Sequence, residues 1–221
     1  MKITLSKYAG FCPGVRRADD AIRKAISEKK NDELICTIGP LIHNTTYVDT
    51  LRSEGVAIVE AKDIEDIVRS RHPSPTTVFI RTHGIESAVH DHLLRLQESF
   101  SSLSIRDMTC PFVKSIHKIA LEKTNDSTIF LLFCNPTHAE SVGIMSYARG
   151  EKLAFSSLEE LQKVDLRGKT PIICAQTTQN LLEFKKIKKI FKKLYTNAVF
   201  FDTICSVTEN RQTEAIRLAE L

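Results

Sequence analysis

Two hydrophobic patterns alternate along this chain. Short runs of consecutive apolar residues predict buried strands, because a strand covered on both faces of a parallel sheet is apolar throughout. Such runs occur at 34–38, 78–80, 129–134 and 171–174. Each is followed by a segment in which apolar residues recur every three or four positions, which predicts a helix. This alternation is typical of an α/β protein.

One arrangement, a strand-like segment followed by a cysteine and then a helical pattern, occurs three times. The cysteines are Cys12, Cys110 and Cys205, separated by 98 and 95 residues. Strand-like segments precede them at 3–5, 103–105 and 199–201. The helical patterns that follow are carried by Val15, Ala18, Ile22 and Ile26, by Val113, Ile116, Ile119 and Ala120, and by Val207, Ala215, Ile216 and Leu218. The spacing predicts a weak internal repeat with one cysteine in each unit.

The position of these cysteines before helices favours metal binding. The positive end of a helix lowers the pKa of a thiol and so supplies the thiolate that a metal requires. Structural zinc normally takes four protein ligands, often from Cys-x-x-Cys pairs, and the sequence contains no such pair. An iron-sulfur cluster held by three cysteines would leave one iron open to a substrate oxygen. On spacing alone, three cysteines that simply pack at strand ends stay an equal alternative.

The other three cysteines lie inside or at the edge of the apolar runs. Cys36, Cys134 and Cys174 are therefore expected to be small buried hydrophobic residues without a chemical role.

Three histidines follow strand-like runs and precede helical patterns. They are His43, His83 and His138. Groups at the carboxyl ends of parallel strands face the ligand crevice of an α/β sheet, and imidazoles beside helix N-termini favour a phosphate-like anion. Glu140 and Thr177 lie near further strand ends, where a poorly solvated glutamate is a candidate general acid and a threonine a candidate partner for a hydroxyl. A solvated glutamate, a capping threonine and surface histidines are the alternatives.

Composition indicates an ordinary globular protein, with 42% hydrophobic and 26% charged residues among 221. The formal charge of +4 is mild and its residues are interspersed, so it does not point to a nucleic-acid partner, and we expect none. The first residues lack a signal-peptide pattern and no apolar run reaches the roughly 18 residues of a membrane span. We therefore expect a cytoplasmic protein that does not bind a membrane, in which six cysteines do not form a disulfide framework.

Taken together, the motifs resemble the family of 4-hydroxy-3-methylbut-2-enyl diphosphate reductase, also called IspH or LytB. The residues that carry this resemblance run through the whole chain in matching order and spacing. They are Gly10 to Ala18, His43-Asn44, His83-Gly84, Thr109-Cys110-Pro111, His138-Ala139-Glu140, Gln176-Thr177-Thr178, and Cys205 with Asn210-Arg211-Gln212.

The resemblance implies an oxidoreductase of the non-mevalonate pathway of isoprenoid biosynthesis. It would remove the allylic hydroxyl of a small diphosphate as water, giving isopentenyl and dimethylallyl diphosphate. By resemblance, Cys12, Cys110 and Cys205 hold a 4Fe-4S cluster, and His43, His83 and His138 bind the diphosphate. Glu140 would deliver a proton and Thr177 would position the substrate hydroxyl. A ferredoxin or flavodoxin would supply the electrons, and the absence of a Gly-x-Gly-x-x-Gly turn fits a reductase without its own nicotinamide site.

The implied fold is a pseudo-threefold arrangement of strand-helix lobes around a central iron-sulfur cluster. We expect a first lobe at 14–109 and a second at 110–200, with 1–13 and 201–221 as the remnant of a third. The third lobe is expected to be incomplete, because 16 residues follow Cys205 and the Ser-x-Asn motif of the family does not occur. A catalytically silent module that binds a cluster or an anion is therefore the alternative function.

A lysine-rich segment, 184–194, places apolar residues at helical spacing with six lysines opposite them. We expect a solvated helix face, with docking of an acidic electron donor as the alternative.

Overall fold

The chain folds into two compact units. The structure is a computed structural model that describes residues 3–166 and 168–220. The first unit spans residues 13–111, and the second joins residues 1–12 to residues 112–221. The predicted lobes, and the assignment of 1–13 and 201–221 to a third lobe, stay predictions.

The first unit is a parallel sheet with helices between its strands. Its strands are all parallel and lie in the order β2 (Ala57–Val59), β1 (Leu34–Ile38), β3 (Thr76–Ile80) and β4 (Leu103–Asp107). The predicted strand at 34–38 coincides with β1, and the predicted run at 78–80 lies inside β3, whose five residues are all buried. The elements are α1 (Pro13–Ser27), β1 (Leu34–Ile38), α2 (Thr45–Ser53), β2 (Ala57–Val59), a 3-10 turn at Ala61–Asp63, α3 (Ile64–Arg71), β3 (Thr76–Ile80), α4 (Ser87–Ser99) and β4 (Leu103–Asp107).

The second unit repeats this design, with all pairs parallel and the strand order β6 (Glu151–Phe155), β5 (Thr128–Phe133), β7 (Thr170–Ala175) and β8 (Val199–Phe200). Its two central strands are buried along almost their whole length, which explains their continuous apolar sequence. The elements are α5 (Pro111–Lys123), β5 (Thr128–Phe133), α6 (Ala139–Tyr147), β6 (Glu151–Phe155), α7 (Leu158–Gln162), β7 (Thr170–Ala175), α8 (Leu181–Leu194), β8 (Val199–Phe200) and α9 (Ser206–Ala219).

The two sheets confirm an internal repeat, with two complete copies in place of the three predicted units. Leu34 and Thr128, which begin β1 and β5, are 94 residues apart, and Thr76 and Thr170, which begin β3 and β7, are separated by the same 94 residues. The second and third strands of each unit lie on opposite sides of the first. Each sheet therefore has a switch point between its first and third strands, where ligands bind in folds of this class.

The predicted helices after the three cysteines are also confirmed. Helices α1, α5 and α9 begin at the residue that directly follows Cys12, Cys110 and Cys205. The strand predicted at 3–5 is wrong: described residues 3–12 contain no strand. A strand needs a neighbour to satisfy its backbone groups, and the apolar side chains Ile3 and Leu5 are 81% and 84% exposed instead of packed in a sheet.

Helix α8 is amphipathic, as predicted. Phe184, Ile187 and Phe191 are buried, whereas the lysines lie on the solvent side, where Lys188 pairs with Asp202 at 2.7 Å. No helix within the described residues is both long and apolar enough to cross a membrane.

Aromatic side chains form much of the core of the second unit. The rings of Phe133 on β5 and Phe184 on α8 stack with centroids 6.1 Å apart, and Phe155 approaches Phe133 at 5.5 Å. These three rings are at most 1% exposed. They fix α8 against the sheet and so hold the loop between β7 and α8 in place.

We predict that Phe184→Ala lowers the free energy of unfolding by about 3–5 kcal/mol, because it removes a buried ring and leaves a cavity. Urea denaturation of the purified protein measures this loss. Leu182→Ala is the matched control, since Leu182 is on the same helix and 67% exposed; its effect should stay within about 0.5 kcal/mol. Equal losses in the two variants would contradict the assigned core.

Candidate active site

Polar side chains collect at the switch point of the first unit. His43 follows β1 and His83 follows β3, and the two rings lie with centroids 4.5 Å apart. Next to them, Asn44 caps α2 by accepting a hydrogen bond from the Tyr47 N–H at 2.9 Å. The parallel pairing of β1 with β3 thus brings together two histidines that are 40 positions apart in sequence.

The equivalent switch point of the second unit holds His138 and Glu140 after β5 and Thr177 after β7. Glu140 lies in the first turn of α6 and is only 2% exposed. One oxygen of its carboxylate accepts the Thr177 backbone N–H at 2.7 Å, and the other accepts the Thr177 hydroxyl at 3.0 Å. The predicted acid and the predicted hydroxyl group are therefore direct partners.

Burial dominates the electrostatics of Glu140. Desolvation raises the pKa of this carboxyl, and the two hydrogen bonds from Thr177 oppose the rise because they stabilise the charged form. No described cation forms an ion pair with it. A carboxyl with a raised pKa holds a proton closer to neutral pH, as a general acid must.

His138 is the N-cap of α6. Its Nδ1 accepts the Glu140 backbone N–H at 3.2 Å, so in the neutral ring the proton lies on Nε2. The cap thereby fixes both the ring orientation and the tautomer, with the ring proton on Nε2. A donor of this kind suits an anionic ligand.

Sequence reasoning missed the role of Gln176. Its buried side-chain oxygen accepts the Asn135 N–H at 3.1 Å and the Ser141 hydroxyl at 3.2 Å, and its amide donates to the Thr178 hydroxyl at 3.1 Å. Gln176 thus ties the loop after β5 to the loop after β7. The available signal in the sequence was a glutamine directly after an apolar strand. The sequence does not show its partners, because Ser141 and Asn135 lie 35 and 41 positions away.

Cys205 is joined to the same network through Thr177. The Cys205 backbone N–H donates to the Thr177 carbonyl at 3.0 Å, while Thr177 donates its own N–H and hydroxyl to Glu140. Cys205 also caps α9, and its Sγ accepts the Thr208 N–H at 3.3 Å. One threonine therefore connects the acid to a candidate cluster ligand.

The first unit has the corresponding link. The Cys110 N–H donates to the Thr82 carbonyl at 2.9 Å, and Thr82 lies two residues beyond β3, as Thr177 lies two beyond β7. The threonine hydroxyls differ, since that of Thr82 donates to the Leu41 carbonyl at 3.1 Å rather than to a carboxylate. The repeat thus anchors both cysteines in the same way.

The six cysteines fall into the two predicted groups by burial. Cys12, Cys110 and Cys205 are half-buried, whereas Cys36, Cys134 and Cys174 are at most 1% exposed. Burial raises the pKa of Cys36 to about 12 and that of Cys134 to about 11, and it raises the pKa of Cys174 as well. The buried thiols are therefore poor sources of thiolate, as expected of hydrophobic core residues.

Comparison with known proteins identifies the family. A family model described as LytB protein matches residues 3–221. The chain belongs to the LytB family. Among LytB relatives, the 4-hydroxy-3-methylbut-2-enyl diphosphate reductase of Geobacter sulfurreducens is 35% identical over 222 residues, which cover 99% of this chain and 72% of that relative.

Solved LytB structures share the fold. A structure of (E)-4-hydroxy-3-methyl-but-2-enyl diphosphate reductase, the terminal enzyme of the non-mevalonate pathway, matches with a TM-score of 0.73 and 29% identity, over 98% of this chain and 73% of the other. The reductase of Plasmodium falciparum matches in fold with a TM-score of 0.76 at 23% identity. The present chain spans 61% of the Plasmodium protein.

The donor set of this LytB chain fits an iron-sulfur group. Three half-buried cysteines directly precede helix N-termini, and the Cys205 sulfur accepts a backbone N–H. Backbone hydrogen bonds to ligand sulfurs are one of the ways in which proteins tune such clusters. The three buried cysteines lack these features.

We predict that Thr177→Val raises the pKa of Glu140 further, because the carboxylate loses the hydroxyl donor and keeps only the backbone N–H. The pKa is measured by carbon-13 NMR titration of labelled glutamate, with the Glu140 signal assigned by its absence in Glu140→Gln. Thr178→Val is the control, since Thr178 is exposed and bonds Gln176 instead. An unchanged or lowered pKa in Thr177→Val would show that the hydroxyl does not stabilise the carboxylate.

Proposed function

We propose that this LytB-family chain converts 4-hydroxy-3-methylbut-2-enyl diphosphate to isopentenyl and dimethylallyl diphosphate by reductive dehydroxylation. The observation that carries the proposal is the chain of contacts from the buried Glu140 through Thr177 to Cys205. A proton donor, a hydroxyl-binding group and a cysteine beside a helix N-terminus are the parts such a reaction needs. The similar proteins from Geobacter sulfurreducens and from the solved structure are reductases of the same diphosphate.

In this proposal Cys12, Cys110 and Cys205 hold a 4Fe-4S cluster. When bound, the cluster supplies electrons one at a time and an open iron as a Lewis acid. Two electrons and two protons cleave the carbon-oxygen bond of the allylic alcohol, and the oxygen leaves as water. A ferredoxin or flavodoxin is the proposed source of the electrons, and the cytoplasm the proposed location.

Glu140 delivers a proton to the leaving hydroxyl. Its burial raises its pKa, which keeps the proton available near neutral pH, and its removal from water strengthens its interaction with a bound substrate. The Thr177 hydroxyl, which now donates to Glu140, is placed to exchange that partner for the substrate oxygen. Thr177 thus orients the hydroxyl toward the acid.

The diphosphate is bound by His43, His83 and His138. The ring of His138 presents Nε2–H because its Nδ1 is occupied by the Glu140 N–H. The adjacent rings of His43 and His83 lie at a strand-end switch point, a usual place for phosphate-bearing ligands. Histidine donors together with helix N-termini stabilise the negative charge of the diphosphate.

We predict that Cys110→Ser abolishes cluster retention after anaerobic reconstitution, whereas Cys134→Ser keeps it, because only the former thiol is proposed as a ligand. Iron and sulfide per chain, with the visible absorbance of the cluster, measure retention. If the unchanged protein fails to bind iron, both the reductase and a silent cluster-binding module are excluded. A bound cluster without turnover would support the silent module.

We predict that Glu140→Gln lowers turnover by about 10²–10⁴-fold while leaving iron content unchanged, because an amide cannot deliver the proton. Reduced viologen serves as the electron source, so the result does not depend on a donor protein. Glu183→Gln, on the exposed first turn of α8, is the control and should keep full activity. Turnover by Glu140→Gln near that of the control would remove Glu140 from the mechanism.

A further inference from the structure

Helix α9 holds the segment that leads to Cys12. Its buried Glu214, 8% exposed, accepts hydrogen bonds from three groups of that segment. These are the Ser6 hydroxyl, the Lys7 N–H at 3.0 Å and the Tyr8 N–H at 3.3 Å. A carboxylate that accepts two consecutive backbone N–H groups fixes the local chain direction as well as its position.

Arg211, one turn earlier on α9, holds the next part of the same segment. Its Nε donates to the Tyr8 carbonyl at 3.1 Å and its Nη2 to the Gly10 carbonyl at 2.5 Å. Gly10 has a φ of +86°, which permits the sharp change of direction two residues before Cys12. Glu214 and Arg211 together therefore contact the backbone from residue 7 to residue 10.

These contacts replace regular secondary structure. Described residues 3–12 form neither a helix nor a strand, and the apolar side chains at 3 and 5 are exposed rather than packed. The position of Cys12 within the second unit thus depends on side chains of the helix that Cys205 caps.

The first unit contains a second contact of the same kind. Arg17, on the helix that follows Cys12, donates through Nη2 to the Met108 carbonyl at 2.9 Å and to the Thr109 carbonyl at 2.8 Å. Those two residues directly precede Cys110. In both units, then, an arginine on a helix that follows one cysteine binds the carbonyl groups ahead of another cysteine.

We propose that Arg211 with Glu214, and Arg17, are positioning residues that fix Cys12 and Cys110 as ligands. That Cys12 and Cys110 are cluster ligands rests on the proposed function. That an arginine fixes the position of each cysteine does not depend on it. The guanidinium groups have a second effect once a cluster is bound. Positive charge near a cluster ligand favours the form that carries the additional electron, and so raises the reduction potential.

The first test measures alkylation of each cysteine in the metal-free protein, with mass-spectrometric mapping. We expect Arg211→Gln and Glu214→Gln to speed modification of Cys12 on the order of tenfold, because the local opening that exposes the thiol is no longer opposed by the lost charged hydrogen bonds. Arg17→Gln should do the same to Cys110. Each variant should leave the other cysteine unchanged, and Cys134 should stay protected in all three.

Two exposed helical residues serve as matched controls. Arg95→Gln and Glu209→Gln carry the same changes at exposed helical positions and should alter neither cysteine. Equal acceleration of all cysteines, including the buried Cys134, would indicate general unfolding and would overturn the proposal. Unchanged rates at Cys12 and Cys110 would overturn it as well. This test does not require a cluster, so its failure can be distinguished from failure of the proposed function.

The second test uses the reconstituted protein and its reduction potential. Arg17→Gln and Arg211→Gln should lower the potential, because each removes a positive charge, whereas Glu214→Gln should not lower it. Arg211→Lys should preserve most of the potential yet only part of the protection of Cys12, since an ammonium lacks the fork that reaches two carbonyls. A potential that shifts equally in Arg211→Gln and Glu214→Gln would contradict the charge effect.

Discussion

The parallel pairing of the first and third strands in each sheet is the constraint on which the rest of the structure depends. Because β5 and β7 run in the same direction and the chain leaves them for different helices, their carboxyl ends form a gap that side chains must fill. Glu140 and Thr177 fill this gap in the second unit, and His43 and His83 lie at its counterpart in the first. Polar side chains meet at these places because parallel strands bring together loops that are distant in sequence.

Much of this arrangement could be predicted. The buried strands are recognisable because a strand covered on both faces has no need of polar residues, and 34–38 and 171–174 show this clearly. The helices after the cysteines are recognisable by their period. Glu140 and Thr177 could be selected as candidates because polar residues in the loops and first helical turns after buried strands often cap helices or bind ligands.

The parts that could not be predicted depend on long-range contacts. The strand expected at 3–5 has suitable residues but no neighbouring strand, and only the folded chain shows what takes its place. Gln176 bonds groups 35 and 41 positions away, and Glu214 bonds groups more than 200 positions away. Such contacts leave no periodic signal, since a single glutamine or glutamate looks the same in sequence whether it is solvated or buried.

Thr82 and Thr177 occupy equivalent positions in the two units but differ in one contact. Both threonines accept the backbone N–H of a cysteine, so the anchoring function is common to the two copies. In the first unit the Thr82 hydroxyl donates a hydrogen bond to the Leu41 carbonyl. In the second unit the Thr177 hydroxyl donates to the carboxylate of Glu140. One altered acceptor on an otherwise similar backbone frame therefore gives the two threonine hydroxyls different chemical surroundings, a neutral carbonyl in one unit and a carboxylate in the other.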